Sequence, residues 1–278
     1  MGRLGYRHLC WFVVAMLSWT FLGACSAEQT PAPAATSTSA TQIAITPSPS
    51  TAPSPDLAWI PIRPGVEWRT IPVSITTAMV VRLDPAHVRL RVAYDPQAPK
   101  KVSDWAAIGQ PLVVLNGGYF EGNNEASALT VADGVTTGAS YVGFGGMLAV
   151  DEQGQIMLRS LVDRPYDSDE QLEQALQSFP RVVWNGHPTA IHDDNGRRAR
   201  RTVVALDKAG RLLLLVVDTP TLTLSDLGQG LAISDLDIDR ALNLDGGPST
   251  GMAITGTDQP IVVDSHTPVP QVLVIELR

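Results

Sequence analysis

Residues 201–218 read RTVVALDKAGRLLLLVVD. Arg201 to Leu206 and Leu212 to Asp218 are two apolar runs rich in Val and Leu. Between them, Asp207-Lys208-Ala209-Gly210-Arg211 is a polar, Gly-containing turn, so the stretch predicts a β-hairpin. The same grammar recurs where Met147 to Val150 and Ile156 to Leu158 flank Asp151-Glu152-Gln153-Gly154-Gln155. Working outward, Val73 to Leu83 reads as one β-branched strand ending at Asp84-Pro85. Val88 to Tyr94, Leu112 to Leu115 and the closing run Val272 to Leu277 read as further strands. Helix signals are fewer. Ser168 with Gln171 forms a capping-box pattern, and Leu172, Ala175, Leu176 and Phe179 follow at helical spacing before Pro180. A second helix is expected after Ser225, including Leu227 and Leu231. The expected class is α+β: one domain over residues 57–278 with a mixed, largely antiparallel sheet and a few helices.

The chain has 278 residues, 44% hydrophobic and 17% charged, which excludes a wholly disordered chain. Nothing in its net charge of −8 suggests the basic surface on which nucleic-acid binding depends. Residues 1–24 read as a secretory signal: Arg3 and Arg7, then a short apolar core from Cys10 to Leu22. The core ends in Leu22-Gly23-Ala24-Cys25, which resembles a bacterial lipobox and implies lipidation of Cys25. Residues 25–56 are rich in Pro, Ser, Thr and Ala and too poor in large apolar side chains to fold, so they read as a tether. The only cysteines are Cys10 and Cys25, so the folded part has no disulfide and no thiolate metal site. Losing Arg3 and Arg7 with the signal leaves 18 basic against 28 acidic residues, a net −10. Attachment to an anionic membrane then rests on the lipid, and the location is extracytoplasmic.

Four polar or Gly-rich segments adjoin apolar strands. In Leu115-Asn116-Gly117-Gly118-Tyr119-Phe120, a strand delivers an Asn and two glycines let the backbone turn sharply. In Ala241-Leu242-Asn243-Leu244-Asp245-Gly246-Gly247-Pro248-Ser249-Thr250, strand alternation puts Asn243 and Asp245 on one face and Leu242 and Leu244 on the other. The turn that follows offers backbone N–H groups to an anion. The third segment runs Gln177-Ser178-Phe179-Pro180-Arg181-Val182-Val183-Trp184-Asn185-Gly186. The fourth is Arg197-Arg198-Ala199-Arg200-Arg201-Thr202; on an extended chain Arg197 and Arg201 share one face, and Arg198 and Arg200 the other. A guanidinium fork suits phosphate.

In order and in content, these segments resemble the phosphodiester glycosidase family over about residues 110–278, with Val269-Pro270 before the last strand completing the match. Pro248 stands where the family commonly has Gly, and it removes one N–H from the turn. The resemblance implies cleavage of a sugar–O–phosphate linkage on the sugar side. It implies phosphate contact by Arg201, with Arg181 or Arg198 as further candidates. Asp245 would act at the anomeric carbon, and Asn116 would bond substrate beside Gly117 and Gly118. Ser249 and the amides of Gly246 and Gly247 would hold sugar hydroxyls or phosphate oxygens. A two-carboxylate scheme requires a second acid, for which Asp218, Asp133 and Glu121 are the candidates.

Two other readings compete. Gly247-Pro248-Ser249-Thr250-Gly251 fits the Gly-x-Ser-x-Gly pattern of a serine hydrolase, with Asp264 and His266 following. A tethered, non-catalytic glycan-binding lipoprotein would share the same layout. No cofactor is assigned and metal dependence is left open. His87, His187, His192 and His266 are scattered, and His192-Asp193-Asp194 reads as a polar turn.

Overall fold

The computed structural model describes residues 58–191 and 194–278. The signal, Cys25, the tether and His192-Asp193 all lie outside these described residues. In chain order the strands are β1 (Ile60–Arg63), β2 (Val66–Val73), β3 (Thr76–Leu83), β4 (Val88–Tyr94), β5 (Val113–Asn116) and β6 (Thr130–Ala132). Then come β7 (Val135–Thr137), β8 (Gly146–Asp151), β9 (Ile156–Ser160), β10 (Leu172–Ser178), β11 (Arg181–Trp184) and β12 (His187–Pro188). The last are β13 (Ala199–Asp207), β14 (Leu212–Leu222), β15 (Ile238–Asn243), β16 (Met252–Ile254), β17 (Ile261–Val263) and β18 (Gln271–Leu277). The α-helices are α1 (Val102–Ala106), between β4 and β5, and α2 (Leu224–Ala232), between β14 and β15.

The strands form three sheets: β1-β2-β3-β14-β13-β15-β11-β12, β7-β6-β10-β8-β9 and β17-β16-β5-β18-β4. Every described pairing between these strands is antiparallel. The fold is therefore nearly all-β, which corrects the α+β expectation. The main core lies where the inner faces of the sheets meet, and includes Leu83, Leu90, Leu115, Leu148, Leu176, Leu214, Leu242 and Leu244. The second core lies under α2, where Leu227 and Leu231 pack with Val182, Val203, Leu213, Leu215 and Ala241.

The predicted hairpins are present. Leu206 pairs with Leu212 in β13–β14, and Val150 with Ile156 in β8–β9. The stretch 73–83 is not one strand. Ser74 adopts φ +54 and turns the chain, so Val73 ends β2 and faces Thr76 of β3. The helix expected over 172–179 is instead β10, the centre of the five-stranded sheet between β6 and β8. The helical spacing was produced by Gln174 and Gln177, polar residues that belong to the interior. Gln174 Oε1 accepts from Val92 N at 2.9 Å, and Gln177 Oε1 from Tyr141 N at 2.8 Å. The second expected helix is α2. Its cap is Thr223, which accepts from Asp226 N while Asp226 accepts from Thr223 N, a full capping box.

Candidate active site

β15 sorts its side chains as alternation requires. Leu242 and Leu244 enter the main core, while Asp245 turns into a cleft of about 310 Å³ beside the start of α2. Asp245 and the Gly246–Ser249 turn form one side of this cleft. Arg197 and Arg201 form a basic wall, and Tyr119, Asn195 and Leu224 complete it.

Gly246 N donates to Asp245 Oδ1 at 2.9 Å, and the Ser249 side chain bonds the same carboxyl. Burial outweighs both bonds and pushes the Asp245 carboxyl up to about 6. The Asp245 backbone is clamped as well. Its N donates to Gly117 O at 3.2 Å, and its carbonyl accepts from Asn116 Nδ2 at 2.8 Å. Arg201 is buried, and its guanidinium is aimed by two carbonyls: Nε to Leu222 O at 3.1 Å and Nη2 to Arg197 O at 2.7 Å. Burial lowers its pKa from the ordinary value, but an arginine stays cationic at neutral pH. Among the described residues Arg201 makes no ion pair with a carboxylate. Its charge is thus available to a ligand. Tyr119 donates to Phe179 O at 3.0 Å and accepts from Asn243 Nδ2 at 2.8 Å. Burial, then the Asp245 charge, raise its pKa, so it stays a neutral phenol.

The structure brings together Asp245, Arg201, Gly246, Gly247 and Ser249. It does not bring the other expected residues to the cleft. Asn116 is fully buried, and its Oδ1 is spent on Thr202 Oγ1 at 2.8 Å and Gly251 N at 3.0 Å. It is a brace under Asp245 rather than a ligand for substrate. Gly117 and Gly118 are required by close packing. A Cβ on Gly117 would stand 2.7 Å from Gln271 Cγ, and one on Gly118 3.0 Å from Gln177 O. Arg181 turns away to Ser160 Oγ at 2.6 Å. Arg198 bonds Thr221 O and, at 3.1 Å, Asp226.

No expected second acid lies in the cleft. Asp218 is held by Arg200, on the opposite face of β13, with Nε at 2.8 Å from Oδ1. Asp133 pairs with Arg91 at 2.9 Å, and Glu121 accepts from Ser127 Oγ at 2.5 Å. Asp245 is the only carboxylate lining the cleft among the described residues. Among the cleft residues not assigned from the sequence, two carry chemistry of their own, Arg197 and Tyr119. Arg197 had a signal, its same-face spacing with Arg201. Tyr119 had none beyond its place after Gly117-Gly118.

Ser249 sits in a 3₁₀ turn, Gly247–Ser249, that leads into strand β16 rather than into a helix. A nucleophile elbow requires the helix. Asp264 is bound to Ser103, with Oδ2 accepting from its Oγ at 3.0 Å, and is not aligning a histidine. Among the described residues no group of three or more His, Cys, Asp or Glu side chains could hold a metal ion.

Comparison with known proteins gives a family and a shared fold. The family model for phosphodiester glycosidases matches residues 110–276. The zebrafish N-acetylglucosamine-1-phosphodiester α-N-acetylglucosaminidase catalytic domain, solved auto-inhibited by its pro-peptide, superposes with a TM-score of 0.64 at 20% identity. That match covers 78% of this chain and 85% of that one. A hypothetical protein from Synechocystis has a TM-score of 0.57 at 16% identity, covering 81% of this chain and 64% of its own. At these identities the structures share the fold. No curated protein matches the chain.

Proposed function

The chain belongs to the phosphodiester glycosidase family, and we propose that it hydrolyses a sugar-1-phosphodiester, such as an α-N-acetylglucosamine-1-phosphodiester, at the bond between the anomeric carbon and oxygen. The observation that carries this is the pairing in one cleft of a single carboxylate, Asp245, with a buried arginine that has no carboxylate partner among the described residues, Arg201. An ordinary glycoside needs an acid to protonate its leaving alkoxide. A phosphomonoester leaves without that help, so one carboxylate and a cationic wall are sufficient chemistry.

In this reading Arg201 and Arg197 bind the phosphate and stabilise the charge that grows on it as the C1–O bond breaks. Asp245, ionised, acts on the anomeric carbon's side, as nucleophile or as base for the incoming water. With Asp245 as base, the water oxygen ends on the sugar, its proton passes through Asp245 to solvent, and the phosphomonoester departs. With Asp245 as nucleophile, the phosphomonoester departs as a glycosyl ester forms on Asp245, and water then cleaves that ester at the anomeric carbon and gives its proton to solvent. Because Asp245 must be ionised and its carboxyl is pushed up to about 6, kcat/KM should fall as pH drops below about 6. A pH profile flat from 8 to 4 would remove Asp245 from this role.

We further propose that residues 1–24 are a lipoprotein signal, that Cys25 carries the lipid, and that residues 25–56 tether residues 57–278 outside the cytoplasm. The test of the reaction is hydrolysis in ¹⁸O-labelled water. Label in the free sugar and none in the phosphate is expected. Labelled phosphate would mean attack at phosphorus. Saturable glycan binding with no product would favour the non-catalytic reading.

A further inference from the structure

The motif Gln177-Ser178-Phe179-Pro180 supplies no group to the cleft itself. It builds something beside it. Gln177 is buried and ties down the loop between β7 and β8, with Nε2 to Ser140 Oγ and Oε1 from Tyr141 N, both at 2.8 Å. The Phe179 carbonyl is held from two sides, by Tyr119 OH at 3.0 Å and Asn243 Nδ2 at 3.1 Å. With its backbone so fixed, the Phe179 ring is nevertheless 40% exposed, and Phe144 on the tied loop is 45% exposed. The rings form a row of contacts in which Phe179 stands edge-on to Phe144 and Tyr141, at 79° and 81°. Tyr119 lies 4.9 Å from Phe179, Phe179 lies 5.6 Å from Phe144, and Tyr141 packs on both phenylalanines at 5.5 and 4.6 Å. Among the described residues no guanidinium or ammonium covers any of these rings.

We propose that this row, Tyr119–Phe179–Phe144 with Tyr141, is a sugar-stacking platform that continues the cleft and receives neutral sugar rings of an extended glycan. Its position rests on the reading of the cleft given above, and it sharpens the substrate class from a lone sugar phosphodiester to a glycan of two or more sugars. One argument selects a sugar. Tyr119 lines the cleft and its ring also packs on Phe179, so a glycan whose anomeric carbon sits at Asp245 has these exposed rings next to it, and an aromatic face suits the C–H face of a pyranose. The basic wall of Arg197 and Arg201 lies in the cleft and the row lies beyond it, so phosphate and sugar are received by different surfaces. A row of three rings is also longer than one pyranose.

The test uses saturation-transfer NMR on the full chain with four neutral tetrasaccharides, of N-acetylglucosamine, glucose, mannose and galactose. No bond need be cleaved, so failure of stacking and failure of diester hydrolysis are separate observations. Transfer from aromatic protons to at least one sugar is expected, with affinity weakened about five-fold by Phe144→Ala and by Phe179→Leu. Phe144→Tyr and Phe179→Tyr, which keep the ring face, should retain it. So should Ile75→Ala, at an exposed position in the β2–β3 turn. No transfer to any of the four sugars, or unchanged affinity in both truncated variants, would overturn the proposal. Transfer to the acyl protons of short-chain phosphatidylglycerol, with none to sugars, would assign the rings to lipid and overturn it equally.

Discussion

Two strand ends in this molecule carry nearly the same letters. β5 ends in Asn116-Gly117-Gly118, and β15 runs out through Asp245-Gly246-Gly247. They touch: Asn116 Nδ2 holds the Asp245 carbonyl, and the Gly117 carbonyl takes the Asp245 N–H. Yet Asn116 is wholly buried with its amide bonded on both sides, whereas Asp245 lines a cleft and its carboxyl is pushed up by desolvation. One end is a brace and the other is what the brace positions. The difference shows that an Asx-Gly-Gly turn after a strand marks a site without saying which of its residues meets the ligand. That depends on which end the other sheets cover.

The largest break in the comparison should come from Asp245→Asn. If Asp245 acts at the reacting carbon, turnover should fall at least about a thousand-fold, a loss of about 4 kcal/mol in barrier stabilisation. Stability should move the other way. In the unfolded chain the carboxyl titrates near 3.8, and in the fold near 6. The fold therefore binds the proton more tightly, and stability declines as pH rises through about 4 to 6. At pH 7 the ionised group costs the fold up to about 3 kcal/mol. Asparagine removes that cost, so the melting temperature should rise by several degrees while activity vanishes. Loss of activity together with a lower melting temperature would make Asp245 structural, as Asn116 is.

Asn116→Ala should do the opposite. It strips partners from the Gly251 N–H, the Thr202 hydroxyl and the Asp245 carbonyl inside a buried site. Groups orphaned in this way cost about 1–3 kcal/mol each before relaxation. A net loss of about 3 kcal/mol is expected by denaturant titration. A loss under 1 kcal/mol with turnover abolished would return Asn116 to the substrate side.

The basic segment offers the same contrast on a smaller scale. Arg201→Lys keeps the charge but loses the fork, so kcat/KM on a diester should fall about 10- to 100-fold. Arg198→Lys should change it less than about two-fold, because Arg198 is tied to Thr221 and Asp226 outside the cleft. Equal effects would mean that the two faces of the arginine run are not functionally distinct.

What the sequence disclosed follows from the range of the physics involved. Strand alternation and turn chemistry act over a few residues, so the hairpins, the shared face of Asn243 and Asp245, and the pairing of Arg197 with Arg201 were all legible. What was misread depends on distant partners. The helix expected over 172–179 is a strand because Gln174 and Gln177 are interior residues whose acceptors and donors lie about 40 residues away or more, at Asp133, Val92 and Ser140. Asp218 looks like a spare acid until Arg200 is seen to hold it, and Asn116 looks like a ligand until Asp245, 129 residues on, is placed against it. A side chain's neighbours decide whether its chemistry is used up, and no local pattern encodes them.

The smallest effects should separate the glycines of the two turns. In Gly117→Ala the new methyl meets Gln271, whose Cγ is 2.7 Å and carbonyl 3.0 Å away. Gln271 has no room to yield, since its Nε2 donates to Thr130 at 2.6 Å and its Oε1 accepts from Gly118 N at 2.9 Å. Overpacking there should cost about 2 kcal/mol of stability. Gly247→Ala meets open space, and the cost is only that of a left-handed φ of +60, about 1 kcal/mol. Its methyl, however, projects where the cleft is lined by Gly247, so KM should rise two- to five-fold while the melt hardly moves. The pair thus reads the division directly: stability lost at the brace, affinity lost at the site. If Gly247→Ala lowered the melt as much as Gly117→Ala and left KM alone, the Asp245 turn would be a second brace, and the site would have to be sought on another face.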